Sequence, residues 1–209
     1  MSRPLLITDC DEVLLHMVRH FGNWLGEAKD IDFAVANGDF ANAMTRRDGG
    51  LRPTQAEMWA MLGEFFPAEM SRQTLVPHAR EALGRLAEIA DIVVLTNLQD
   101  ECRQPRIEQL SAFGIDHRVD CNQGGKGGPV ARLVAEHGDP VTVFVDDLAV
   151  HHASVAKAAP GVHRLHMIAE PALAATMPPA PAAHARIDDW ADAEHWIAAR
   201  FAAGVPADA

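Results

Sequence analysis

The sequence predicts an α/β protein, a parallel sheet layered between helices with a helical segment inserted after the first strand. Three observations predict it. Short, nearly continuous apolar runs recur along the 209 residues, helical periodicities separate them, and the first run ends at Asp9 while the second begins only near Asp91. Apolar runs bounded by turn residues fit strands covered on both faces. Their alternation with helices defines the class, and a connection as long as the first must carry structure of its own.

The first strand is "PLLITD" at 4–9. In the insertion, Leu14, Met17, Val18, Phe21 and Leu25 fall at helical spacing, and Thr54 with Glu57 forms a capping box ahead of Met58, Met61, Leu62 and Phe65. The stretch 30–53 between them mixes apolar and turn signals and fits a short helix flanked by loops. After a helix marked by Leu83, Leu86 and Ala90 comes the strand "DIVVLTN" at 91–97, then a helix through Ile107 and Leu110, and a shorter strand at 117–121. Val130, Leu133, Val134 and His137 form the next helix, with Pro129 near its start and Gly138 past its end. "VTVFVDD" at 141–147 and the weaker 162–169 are the last strands. An Ala- and Pro-rich segment then precedes a final amphipathic helix around Trp190 to Phe201. We therefore expect an α/β core made of residues 1–13 and 80–209, and a helical cap of residues 14–79.

Composition narrows the function. A content of 48% apolar residues suits one substantial core, and a net charge of −11 argues against a nucleic-acid backbone as partner. No run approaches the roughly 20 apolar residues of a membrane span, and the N-terminus has no basic region leading into an apolar signal core. A soluble, cytoplasmic protein without membrane or nucleic-acid partners is expected. Cys10, Cys102 and Cys121 are odd in number and lack metal-site spacing, as in a reducing compartment.

Chemistry concentrates where strands end. Asp9 and Asp11 follow the first strand, Thr96 and Asn97 the second, and Asp146 and Asp147 a later one, while Lys126 in "GGKGGP" precedes a helix. Ligands of open parallel sheets bind beyond these carboxyl ends. Each residue alone has an ordinary reading as a cap or turn. Their order, D-x-D, Thr, Lys, Asp-Asp, has a collective one. Carboxylates held this close need a cation among them, because burying unpaired charge is costly.

The ordered set resembles the four motifs of the haloacid dehalogenase superfamily, in its phosphatase branch with a helical cap after the first strand. The resemblance spans about residues 4–169 and implies a Rossmann-like three-layer core. It implies that Asp9 is the nucleophile, Asp11 the general acid and base, and Lys126 the charge that neutralises nucleophile and phosphate. Thr96 binds phosphate in this reading, and Asn97 beside it and Glu12, which stands where many relatives have Gly, complete the phosphate-binding set. Asp9, Asp146 and Asp147, with Asp11 through its backbone carbonyl, would hold Mg²⁺. A second Asp in the first motif favours phosphoryl chemistry over dehalogenation.

Physical chemistry agrees with that implication. A carboxylate attacking an anionic phosphate meets about 4 kcal/mol of repulsion for unit charges about 4 Å apart at an effective dielectric of about 20. A divalent cation and a lysine remove it, and Mg²⁺ prefers such an oxygen-rich site. Asp11 must carry a proton near neutrality to act as the acid. The expected substrate is a small phosphorylated metabolite and the expected product inorganic phosphate. A phosphomutase of the same superfamily and a catalytically weak binding or structural protein are the alternatives; a signalling receiver domain places its acidic pair after the first strand, unlike this chain. Arg46 and Arg47 are the insertion's candidates for a second anionic group, and Arg103 and Arg106 can approach the phosphate from a helix start. His151 and His152 read as ordinary helix residues and Cys10 as a core residue. Trp24 and Trp59, with Met17 and Met58, are expected to pack the insertion's helices or to form a dimer surface, and no oligomeric state is assigned.

Overall fold

A computed structural model describes residues 2–35, 39–40 and 42–208. In chain order the elements are β1 (Leu5–Thr8), β2 (Leu15–His16), α1 (Val18–Ala28), β3 (Ile31–Phe33), β4 (Met44–Arg46), α2 (Gln55–Glu69), β5 (Thr74–Leu75) and α3 (Ala79–Leu86). They continue as β6 (Asp91–Thr96), α4 (Arg103–Ala112), β7 (Arg118–Cys121), α5 (Gly127–Glu136), β8 (Thr142–Asp146), α6 (Ala149–Ala158), β9 (His163–His166), α7 (Pro171–Ala174), β10 (Ala185–Arg186) and α8 (Trp190–Ala203).

Six strands form one sheet in the order β10-β9-β8-β1-β6-β7, and every pair is parallel. Alternation along the strands sends side chains to two cores. Leu6, Val94, Val143 and Val145 face α3, α4 and α8 through Leu83, Leu86, Leu110, Trp190 and Ile197. Leu5, Ile7, Val93, Leu95 and Phe144 face α5 and α6 through Val130, Leu133 and Val155. The result is the expected three-layer, Rossmann-like α/β architecture. Cys10 is fully buried in the first core, as its strand alternation predicts, and burial raises its thiol above the ordinary range.

From β1 the chain builds outward through β6 and β7, then returns to the other side of β1 for β8, β9 and β10. The strand order thus reverses at β1, and the crevice between β1 and β8 is the switch point where open α/β sheets bind ligands. Register brings the two strands level: Thr8 pairs with Val145, and the Asp9 amide donates to the Val145 carbonyl at 2.8 Å.

Between β2 and β5, which pair antiparallel, the insertion carries its own core. Phe21, Trp24 and Leu25 of α1 meet Met58, Met61 and Phe65 of α2. The capping box is present, with Thr54 accepting from the Glu57 amide and the Glu57 carboxylate accepting from the Thr54 amide. Two readings left open by the sequence are decided here. The stretch 30–53, whose mixed signals also fit a short helix, forms the antiparallel hairpin β3–β4, its residues 36–38 and 41 lying outside the described residues. Trp24 packs as expected, but Trp59 is 61% exposed because it falls on the outer face of α2. Among the described residues no helix is long and apolar enough to cross a membrane.

Candidate active site

The ends of β1, β6 and β8 bring Asp9, Thr96 and Asp146 to one edge of the sheet. Lys126 reaches them from the start of α5. A cation is out of place at the positive end of a helix unless something holds it there. Its ammonium, fully buried, lies 2.8 Å from Asp9 Oδ1 and 2.7 Å from Asp146 Oδ2. Burial alone would lower this ammonium, but the charges of Asp146 and Asp9 outweigh it and hold it above the ordinary lysine range.

Asp9 Oδ1 also accepts from the Cys10 amide at 2.7 Å. Burial pushes Asp9 up to about 7 against the pull of Lys126. Asp146 Oδ1 accepts from the Leu148 amide at 2.9 Å. Asp147 is raised well above the ordinary carboxylate range by burial and by the charges of Asp146 and Asp9. Asp9, Asp146 and Asp147 each offer an oxygen within 4.8 Å of the others. Three carboxylates facing one lysine leave a surplus of negative charge in a buried place, which is a fitting site for a divalent cation.

Thr96 is buried, and its hydroxyl has no hydrogen-bond partner. A buried donor left open beside this cluster is suited to an anionic oxygen. Asn97 is exposed and tied to the loop before α5, its Nδ2 donating to the Gly124 carbonyl at 2.9 Å and its Oδ1 accepting from Asn122 Nδ2 at 2.9 Å.

Two predicted site residues turn elsewhere. Glu12 sits at φ 58°, the left-handed conformation that favours glycine. Its carboxylate faces the insertion rather than the carboxylate cluster: Oε1 accepts from the amides of Met17 and Val18 at 2.7 and 2.6 Å, capping α1. Its backbone is engaged too, the amide donating to the Leu15 carbonyl and the carbonyl accepting from the Ala169 amide. Asp11 does not join the carboxylate cluster. Its two oxygens lie 3.0 and 3.1 Å from Nη2 of Arg106, and Gln73 Nε2 donates to Oδ1 at 2.9 Å.

Of Arg46, Arg47, Arg103 and Arg106, only Arg106 reaches Asp11. It is fully buried on the face of α4 that also carries Gln109 and Leu110, so a charged residue on the apolar stripe is the sequence signal. Arg46 instead pairs with Glu57 and Arg47 with Asp32 at the surface, while Arg103 Nε donates to the Val119 carbonyl. The histidines after the acidic pair are more than helix filler. His152 Nε2 donates to the Asp146 carbonyl at 2.9 Å, and His151 Nε2 lies 3.4 Å from Asn97 Nδ2. His166 on β9, which no sequence motif marks, donates to the Asp147 carbonyl at 2.8 Å.

No family model matches the chain, and no curated protein matches it in sequence. Solved structures do match in fold. A predicted phosphoglycolate phosphatase from Haemophilus somnus is 19% identical with a TM-score of 0.63, over 92% of this chain and 97% of its own. The HAD-hydrolase YfnB from Bacillus subtilis, bound to magnesium, is 13% identical with a TM-score of 0.65, over 94% of this chain and 99% of its own. A protein described as a β-phosphoglucomutase from Thermotoga maritima is 12% identical with a TM-score of 0.61, over 94% and 99%. The structural neighbours are HAD-superfamily hydrolases, and this chain has their fold. The resemblance in the motifs is thus met by the architecture that surrounds them.

Proposed function

We propose that the protein is a Mg²⁺-dependent phosphatase that hydrolyses a small phosphate monoester through a phosphorylated Asp9. The observation that carries this reading is the buried group of Asp9, Asp146 and Asp147 at the sheet's switch point, with Lys126 bridging two of them and the open Thr96 hydroxyl beside it. Asp9, Asp146 and Asp147, with the Asp11 carbonyl that the family resemblance adds, would hold Mg²⁺. When bound, the ion offsets the charge of the phosphoryl group and of the carboxylates that face it.

In the first step an Asp9 carboxylate oxygen attacks phosphorus and the bond to the ester oxygen breaks, with the departing alcohol oxygen taking a proton from Asp11. In the second, water attacks the phosphorus, the bond to Asp9 breaks, and Asp11 takes the water proton. Lys126 steadies the Asp9 carboxylate and the transferred charge, and Thr96 donates to a phosphoryl oxygen. The insertion acts as the cap that covers the site and excludes water, with residues 14–79 as its span and residues 1–13 and 80–209 as the core.

The test is phosphate release from p-nitrophenyl phosphate and a panel of sugar, nucleotide and amino-acid phosphates, in Mg²⁺ or in EDTA, for wild type and Asp9→Asn. Mg²⁺-dependent release that is lost in Asp9→Asn supports the reading. Conversion of an ester into its isomer points to a mutase, and equal inertness of both proteins removes the catalytic reading.

A further inference from the structure

We infer that the crevice between the insertion and α4 is a binding site for an organic cation, an amine carried on an aromatic body. The site is distinct from the carboxylate cluster and independent of the phosphatase reading.

The crevice measures about 520 Å³, within the range of small-molecule sites. Its walls come from both parts of the molecule. Phe66 of α2 and Met70 just after that helix form one side, while Cys102, Gln109 and Phe113, in and around α4, form the other. None of Asp9, Thr96, Lys126, Asp146 and Asp147 lines it. Two aromatic rings and two sulfur atoms make a polarizable lining, and both kinds of group pack favourably against a flat aromatic body.

One polar group is built into this lining. Gln109 is 8% exposed, and its Nε2 donates to the Met70 carbonyl. That contact fixes the orientation of the amide, since a carbonyl accepts only from the nitrogen. Oε1 is the end left over, and it is buried with no hydrogen-bond partner among the described residues. A buried acceptor without a donor is costly, so the group that completes it brings an N–H or O–H.

Charge selects which donor. Glu101 and Glu108 are exposed residues of the crevice, and neither forms an ion pair among the described residues. The cations nearest in sequence are engaged elsewhere: Arg103 with the Val119 carbonyl, Arg106 with Asp11, and Arg72 with Glu69. Two uncompensated carboxylates beside an apolar slot with a single acceptor match an ammonium on a short arm from a ring. An anion of the same shape would be repelled. Such an occupant touches the insertion and the core at once, so its binding also holds one against the other.

The probe is tryptamine, with tryptophol as its neutral counterpart and indole-3-propionate as its anionic one. Each is titrated by calorimetry into the full chain with Mg²⁺ in excess, which competes for Asp9, Asp146 and Asp147. Tryptamine should bind with a Kd on the order of 100 µM. It should bind about 5- to 10-fold more tightly than tryptophol, with indole-3-propionate the weakest. In the double variant Glu101→Gln with Glu108→Gln, tryptamine should fall to the affinity of tryptophol. Gln109→Leu should weaken both by about 5- to 10-fold. Ala112→Trp, at an exposed position of the lining, should fill the crevice and abolish binding of all three, and this readout stands if Gln109→Leu fails to fold. Equal affinity for the three probes overturns the inference, as does the absence of tryptamine binding up to about 10 mM. Tryptamine binding that excess Mg²⁺ displaces and Ala112→Trp leaves unchanged would put the amine on the carboxylate cluster and overturn it too.

Discussion

His152 and His166 stand edge to face, ring centroids 5.4 Å apart, and donate from Nε2 to the successive carbonyls of Asp146 and Asp147. For His166 the tautomer follows from its neighbours, because Nδ1 accepts from the Ala180 amide at 3.0 Å and Nε2 must then carry the proton. Burial lowers both imidazoles and keeps them neutral, as this donor role requires. The two rings therefore grip the peptide that carries the acidic pair from its far side.

Loosening that grip should weaken the proposed Mg²⁺ site before it weakens the fold. In His152→Ala, Mg²⁺ affinity measured by calorimetry below the melting temperature should fall by about 10- to 100-fold, the range typical of residues that orient ligands. Unchanged affinity in a folded variant would assign His152 to packing against Phe144 alone, whose ring centroid lies 5.6 Å away.

The Asp11–Arg106 pair makes a prediction about stability that needs no substrate. Truncation in Asp11→Ala strands a fully buried guanidinium, which typically costs about 3–5 kcal/mol. Replacing both residues, as in Asp11→Ala with Arg106→Met, removes the stranded charge and should recover a good part of that loss. Urea denaturation of the two single variants and the double variant measures the coupling. Strictly additive losses would show that the pair is not a unit.

Glu12 links pH to stability. Burial lifts its carboxyl from the ordinary 4.5 to about 7, against the pull of the Val18 and Met17 amides. The folded protein therefore keeps a proton that the unfolded chain gives up, and stability falls as pH rises from about 4.5 to about 7. At roughly 1.4 kcal/mol per unit the full effect is about 3 kcal/mol. Glu12→Gln does not titrate and its amide oxygen can still accept from both backbone amides. Its advantage over wild type, measured by thermal melts in EDTA, should thus grow across that window and level off above it. His152, held down to about 4 by burial, acts in the opposite sense, losing stability as pH falls from 6.5 toward 4. It does so in both proteins and cancels in the difference. A difference that is flat with pH would mean that Glu12 titrates alike folded and unfolded.

How much of this was legible in the sequence depends on where each residue finds its partners. The five strands expected from apolar runs form because such a run has one outcome when helices cover both sheet faces. Asp9, Thr96, Asp146 and Asp147 are set by strand ends, and a strand end is a local signal. The hairpin β3–β4 is not legible because three-residue strands bearing Asp32 and Thr45 carry no period to read. β10, only two residues long in an Ala- and Pro-rich stretch, is a strand solely because β9 lies beside it. The role of Arg106 was hidden for a different reason. Its partner Asp11 is 95 residues away, and only the packing of α4 decides which of its arginines turns inward. Glu12 reads as a phosphate neighbour by position, yet its left-handed backbone aims the carboxylate at α1.

The glycines around Lys126 give a sharper test of how the loop "GGKGG" positions the ammonium. A Cβ on Gly127 would lie 2.3 Å from the Ser154 carbonyl oxygen and 2.8 Å from its carbon, so α5 and α6 approach too closely there for any side chain. A Cβ on Gly125 would meet Ser154 only through its side chain, with Oγ at 2.9 Å and Cβ at 3.6 Å. Both Gly125→Ala and Gly127→Ala should destabilise, with overpacking of this kind costing about 1–3 kcal/mol. Their response to Ser154→Ala should differ. Removing Oγ leaves Gly125→Ala with an ordinary contact and relieves it, but leaves Gly127→Ala against a backbone carbonyl that no substitution removes. Ser154 Oγ also accepts from the Gly127 amide at 3.0 Å, so the cost of Ser154→Ala alone must be subtracted in each cycle. Urea denaturation of the variants should then give a favourable coupling for position 125 and only a partial one for position 127, where Oγ at 2.8 Å is removed but the carbonyl oxygen at 2.3 Å is not. Because Gly127 directly follows Lys126, Gly127→Ala should also shift the ammonium from its place between Asp9 and Asp146. Full relief at both positions would show that α5 can move away from α6 at little cost, and that the glycines do not fix the lysine.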